Sequence, residues 1–184
     1  MLWLAIAALA SAIAVNCVAV WAQKRHRAYD RLGRWAWPAH IALLVVVWGG
    51  AVLAIVLLVL HGPEIRWPLP SWVRWPGLVL GLIATMVFGQ GIRQLGAQSL
   101  FNGNFFGHGR PFTREGIYEW LDDPMYVAYT ATFVALAMRQ ADAIYLLLAV
   151  VSAVGLNLVE SRVERFEEPA EEWAVSPRAG DARG

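Results

Sequence analysis

The sequence predicts an all-α, polytopic integral membrane protein with about five transmembrane helices. Of its 184 residues 58% are hydrophobic and only 16% are charged, whereas a soluble domain carries charge on roughly a quarter of its residues. Several apolar runs approach or exceed the ~20 residues a helix needs to cross hydrocarbon. The basic residues also sort strongly to one side of the arrangement those runs imply, as the positive-inside bias of membrane proteins requires.

The first span runs from about Leu2 to Ala22. It has no basic n-region and outlasts the roughly 7 to 15 apolar residues of a signal peptide, so it reads as a retained helix. Cys17, the only cysteine, sits inside this run; no internal disulfide is possible, and a small buried hydrophobe is the plain reading. A second span runs from about Trp37 to Leu60, followed by the loop HGPEIRWPLPSWVRWP, rich in the Pro and Trp of interfacial segments. A third runs from about Gly77 to Leu95.

Beyond Pro124 only about 15 apolar residues precede RQAD (139–142), and about 17 follow, from Ala143 to Val159. Fifteen residues rise ~22 Å, short of a ~30 Å core. These two segments are therefore expected to form a short helical hairpin turning at RQAD. The last helix is expected to run past the membrane as ESRVERFEEPAEEW. Residues 1–172 form one domain on this reading, and 173–184 a disordered tail.

The net charge of +1 makes no electrostatic case for a nucleic-acid partner. With five spans, twelve of the fifteen Lys and Arg residues fall on the face holding the 24–34 cluster, Arg93 and the 97–123 loop; only Arg66, Arg74 and Arg139 fall on the other. That places the N-terminus outside, and the C-terminus and the loop inside. The abundance of Ala, Arg, Gly and Trp points to a bacterial inner membrane.

Four stretches carry candidate chemistry. In LFNGNFFG (100–107) two glycines flank Asn104 and permit tight turns and close ligand approach; its phenylalanines suit either ring stacking or the interface belt. In LDDPMY (121–126), Pro124 is pre-organised for a helix start and Asp123 stands at the cap position. Capping accounts for one aspartate but not two, and the spare carboxylate can attract a cation or take a proton from an amine. In ESRVERFEEP (160–169), Glu160 and Glu164 share a helical face with Glu167 or Glu168, read equally as a solvated ion-pair face. Gly77 and Gly81 lie four apart in the third span, a spacing that usually marks close helix packing. The four histidines show no metal-ligand spacing, and no phosphate-binding loop or nucleophile elbow is present.

In order and approximate spacing, nearly the whole chain resembles the phosphatidylethanolamine N-methyltransferase family. These are small integral-membrane enzymes that use S-adenosylmethionine. The likeness is carried by LGAQSLFNGNFFG (95–107), LDDPMYVAYTATFVALAM (121–138) and FEEP (166–169), and more weakly by VNCVAVWAQKRHRAYDRLGR (15–34). It implies methyl transfer to the amine of phosphatidylethanolamine or of its mono- and dimethyl forms, towards phosphatidylcholine. It also implies a cofactor held by a Gly-x-Gly stretch and a Glu-Glu pair. The pair matches Glu167 and Glu168. The glycine stretch falls near Leu82 to Ala84, where only Gly81 stands close by. Asp123 replaces a more usual Asn, Ala128-Tyr129 replaces a Gly-Ser pair, and the distance from the loop proline to the Glu pair is about one helical turn longer.

On this resemblance Gly81, Gly103, Asn104, Phe106, Pro124, Met125, Tyr126, Glu167 and Glu168 frame the cofactor. Asp122, Asp123 and Glu160 are the acid/base candidates, Arg110 and Arg114 are placed to hold the lipid phosphate, and Tyr118 is expected over the headgroup beside Tyr126. For the two arginines the positive-inside bias is an equal explanation. Two rivals stand beside it: a related methyltransferase acting on an isoprenylcysteine carboxylate or a small apolar molecule, and a membrane binding protein without turnover. A carboxylate acceptor would be repelled by Asp122 and Asp123, at about 1 kcal/mol or more at 4 Å even in water.

Overall fold

The computed structural model describes residues 1–62, 65–107 and 115–164; of Asn104, Leu158, Glu160, Ser161 and Glu164 it describes the backbone alone. The architecture is all-α. Five helical legs follow one another: α1 (Leu2–His26), α2 (Ala36–His61), α3 (Arg74–Leu95), α4 (Pro124–Gln140), and a composite last leg. That leg runs as α5 (Ile144–Ser152), a π-helical stretch (Ala153–Glu160) and the single turn α6 (Ser161–Glu164). Leu2–His26, Asp30–His61 and Ser71–Leu95 are long and apolar enough to cross a membrane, and Ile144–Asn157 is a shorter apolar helix.

Chain reversals carry the local chemistry that the sequence calls for. α1 runs four residues beyond the expected Ala22, because Lys24, Arg25 and His26 occupy its last turn, where positive charge complements the helix dipole. It stops at Arg27 in a left-handed conformation. Gln23 ties the reversal: its Nε2 donates to Asp30 Oδ1 at 2.9 Å, and its Oε1 accepts from the Tyr29 backbone N–H at 2.9 Å. The expected hairpin near RQAD is present, with Arg139 and Gln140 still helical and the turn carried by 141–143. Asp142 Oδ1 accepts from Ile144 N at 2.9 Å and from Ile65 N at 3.3 Å. Trp67 N donates to Ala141 O, and Ala143 N to Ile65 O, so the loop entering α3 is bonded to the α4–α5 turn.

Lipid offers helices no hydrophobic reason to associate, so close packing must do it. α3 and α4 pack antiparallel along most of their length. A Cβ added at Gly77 would lie 2.9 Å from Met138 Cβ and 3.1 Å from the Ala135 carbonyl; at Gly81 it would lie 3.6 Å from Ala135 Cβ; at Gly91 it would lie 2.7 Å from Met125 Cγ. α1 packs on α2 and also against the last leg, where Gly155 meets Ile13. The core gathers Ala5, Leu9 and Ile13 of α1 with Phe133 of α4 and Leu148 and Leu156 of the last leg. α2 and α3 are not among the helix pairs that pack substantially.

Exposed tryptophans cluster at the two ends of the legs, Trp3, Trp72 and Trp75 at one and Trp21, Trp35 and Trp120 at the other, where interfacial belts belong.

Gly77→Val should lower the thermal midpoint in detergent micelles, by the equivalent of about 1–3 kcal/mol for overpacking. Gly50→Ala, whose added methyl meets nothing within 4 Å, should leave the midpoint at or slightly above that of the wild type.

Candidate active site

At the end of α3, Gly96 turns the chain with φ 85°, a conformation that glycine alone adopts freely. Two short 3₁₀ segments follow, Ala97–Phe101 and Gly103–Phe106, hinged at Asn102 with φ 54°. Asn tolerates this left-handed geometry better than most residues. The Asn102 side chain is buried, 6% exposed. Its Nδ2 donates to Asn16 Oδ1 of α1 at 2.8 Å and lies 3.5 Å from His40 Nε2 of α2. Phe106 stacks at 4.8 Å on His40 and edge-on at 5.5 Å to Tyr29. The loop is thereby fastened beneath the α1–α2 hairpin.

Above the loop lies a cavity of about 380 Å³, within the roughly 300–1,000 Å³ of small-molecule sites. α2 contributes Trp48 and Gly49 to its wall, α3 contributes Phe88, and the loop contributes Ser99, Asn102 and Phe105. Opposite stand Tyr118, Asp123, Met125, Tyr126 and Tyr129. Trp48 meets Tyr129 edge-on at 6.1 Å, and Tyr129 meets Phe133 at 5.3 Å, which gives the wall an aromatic back. Val45 and Val52 also line it and are 55% and 53% exposed. The cavity therefore reaches the molecular surface along this apolar face of α2.

The structure separates the two aspartates. Asp123 occupies the N-cap position of α4 and its carbonyl accepts from Val127 N at 3.1 Å, but its carboxylate makes no capping bond. The capping role expected of that side chain is absent: Asp123 lines the cavity, and Pro124 at the first helical position starts α4 without a side-chain cap. Asp122 is exposed and off the cavity wall.

Of the other residues singled out from sequence, Tyr118, Met125 and Tyr126 line the cavity. Gly81 faces Ala135 on α4, a helix-packing position away from the cavity. Pro124 and Gly103 are buried but not on the wall, and Phe106 packs into the α1–α2 hairpin while its neighbour Phe105 takes the cavity position. Only the backbone of Asn104 and Glu160 is described, and Arg110, Arg114, Glu167 and Glu168 lie outside the described residues. Sequence reasoning missed Asn16, Trp48, Asn102 and Tyr129. Asn16 was the one with a signal, an amide inside an otherwise apolar first span. Among the described residues no group of His, Cys, Asp and Glu is arranged to hold a metal ion.

A carboxylate set in a wall of Tyr, Trp and Phe suits an organic cation, held by charge on one side and by ring faces on the other. The profile of one family matches this chain, that of the phospholipid methyltransferases, over residues 72–170. The chain belongs to the phospholipid methyltransferase family. No curated protein and no solved structure matches it. The family segment supplies α3, the loop, α4 and the last leg. α1 and α2 stand outside it yet wall the cavity through Asn16 and the Leu44–Val52 face. Membership supports a methyl donor and a phospholipid acceptor in general terms.

If the cavity is where methyl transfer occurs, the aspartates should differ in effect. Asp123→Asn should lower kcat/KM on the order of a hundredfold or more. Asp122→Asn should stay within a few-fold of wild type. Radiolabelled methyl transfer by each purified variant checks this.

Proposed function

We propose that this phospholipid methyltransferase uses S-adenosylmethionine to N-methylate phosphatidylethanolamine, and its mono- and dimethyl forms, towards phosphatidylcholine. The observation that carries the reading is Asp123, whose carboxylate makes no capping bond to α4 and which lines an aromatic cavity that reaches the surface along the apolar face of α2. A lipid can bring its headgroup into such a cavity while its acyl chains stay in the bilayer.

When bound, S-adenosylmethionine supplies a methyl on a positively charged sulfur, which passes to the amine nitrogen in an in-line displacement. What the protein contributes is alignment, the largest part of the catalysis for such a step. The rings of Tyr126, Tyr118 and Phe105 suit a cationic donor. Asp123 favours the acceptor's ammonium and is the base candidate for the proton the nitrogen must lose before it attacks. Water is held back by the apolar face of α2 and by Leu95 and Leu156. Arg110, Arg114, Glu167 and Glu168 are proposed, on the family resemblance, to complete the phosphate and cofactor contacts. We place this face in the cytoplasm, where most of the basic residues fall and the soluble donor is made.

A second reading, methylation of a carboxylate acceptor, meets the Asp123 charge at the wall and is disfavoured by it.

The direct test is transfer from labelled S-adenosylmethionine by the purified protein in mixed micelles. Phosphatidylethanolamine, its monomethyl form and a prenylcysteine analogue would be offered separately. Label is expected in the amine lipids; label only in the prenylcysteine would overturn the reading, and a bound donor with no label anywhere would favour a binding protein. Gly49→Leu extends the test, since a Cβ at Gly49 meets nothing within 4 Å but projects from a cavity-lining position. It should fold as wild type and lower kcat/KM for lipid by about tenfold, a loss near 1.4 kcal/mol.

A further inference from the structure

A buried polar cluster adjoins the cavity. Asn16, His40 and Asn102 come from α1, α2 and the loop, and are 3%, 0% and 6% exposed; Asn16 and Asn102 line the cavity, and His40 lies behind them. A buried amide with spare hydrogen-bonding capacity is costly in a membrane bundle unless something uses it. The Asn102 amide nitrogen is committed inward, to Asn16 Oδ1 at 2.8 Å and towards His40 Nε2 at 3.5 Å. That leaves Oδ1 as the atom of the Asn102 side chain with capacity to spare, while His40 Nδ1 is buried without a partner. Asn102 Oδ1 is not among the fully buried atoms lacking a partner, and the residue lines the cavity.

The chemistry of what Oδ1 can take is narrow. An amide offering both its donor and its acceptor would suit the edge of a nucleobase; one whose nitrogen is spent offers an acceptor alone. A primary, secondary or tertiary ammonium has an N–H to give it, whereas a quaternary ammonium or a sulfonium centre has none; the α-ammonium and adenine amine of S-adenosylmethionine do, and the affinity for that donor separates the two cases.

We propose that Asn102 is a substrate-binding residue that accepts a hydrogen bond from the N–H of the lipid amine, with Asn16 and His40 as its positioning residues. This rests on the reading of the cavity as the methyl-acceptor site. Asp123 is drawn to any cation through charge, methylated or not; Asn102 counts hydrogens. Each transfer removes one N–H, so the hold of Asn102 on the headgroup weakens as methylation proceeds and ends with the quaternary product. The site thereby distinguishes substrate from product without a steric gate.

The test is a binding measurement that needs no turnover. Short-chain phosphatidylethanolamine and short-chain phosphatidylcholine would be titrated by calorimetry into the detergent-purified full chain. Wild type should bind the ethanolamine lipid about tenfold more tightly, the worth of one hydrogen bond to a charged group. Asn102→Gly, which accepts the left-handed backbone, should level the two affinities by weakening only the ethanolamine lipid. Asn102→Asp keeps an acceptor and the backbone preference but loses the donor to Asn16 Oδ1; it should retain a preference for the ethanolamine lipid smaller than that of wild type, and it guards against a glycine variant that fails to fold. The affinity for S-adenosylmethionine should be unchanged in both. Equal loss for both lipids, loss of cofactor affinity alone, or undiminished discrimination in Asn102→Gly would each overturn the assignment. Absence of methyl transfer by wild type would overturn the proposed activity and leave this binding result to be judged by itself.

Discussion

The close approach of α3 to α4 is the constraint on which the rest of the molecule depends. In a bilayer the lipid tails solvate a leucine as well as a neighbouring helix does, so association comes from contact too intimate for lipid to replace. Gly77, Gly81 and Gly91 allow that contact at both ends and the middle of the pair. At one end Gly91 seats Met125, and so fixes the first turn of α4 and the Asp123 carboxylate just before it. At the other end Gly77 abuts the last turn of α4, close to where Asp142 gathers the backbone N–H groups of Ile65 and Ile144.

α2 packs little on α3, and both wall the cavity. The main partner of α2 is α1, and the hairpin they form reaches the α3–α4 pair through the last leg, the loop under the cavity and the Trp48–Tyr129 contact with α4. The space between α2 and α3 is spanned at its polar end by Asn102, bonded to Asn16 and near His40. Hydrogen bonds between side chains in a membrane are each modest, about 0.6 kcal/mol on average; here they tie the loop to both helices of the α1–α2 hairpin. The aromatic pairs Trp48–Tyr129 and Tyr129–Phe133 carry the same spacing deeper between the helices.

Much of this was legible in the sequence, and what was not has physical reasons. The apolar runs located the spans, and the polar RQAD between two short runs forced a hairpin, because a fused helix would carry those residues to the middle of the membrane. The boundary of α1 was placed short, since Lys24, Arg25 and His26 read as loop by hydropathy although a helix C-terminus welcomes them. Asp123, Tyr118, Met125 and Tyr126 were readable because each adjoins a helix start that Pro124 announces. Asp122 could not be separated from Asp123 by composition; only the direction of the chain into α4 does that. Phe105 and Phe106 are likewise equivalent as letters, and a 3₁₀ turn sends one into the cavity and the other towards His40. Trp48 sits in an apolar helix with little amphipathic bias, so nothing in the sequence said which way it faced.

The π-helical stretch Ala153–Glu160 bears on the length of the last leg. A π turn closes its hydrogen bonds one residue later than an α turn, so these eight residues wind through less rotation than the same number in an α-helix. The stretch thus takes up residues that a regular α-helix would turn into extra rotation, and it leaves α6 facing α1, where the Val163 carbonyl accepts from Lys24 Nζ at 3.4 Å. The winding of this leg is a phase setting as much as a length: it decides which side of the final turn meets the rest of the bundle.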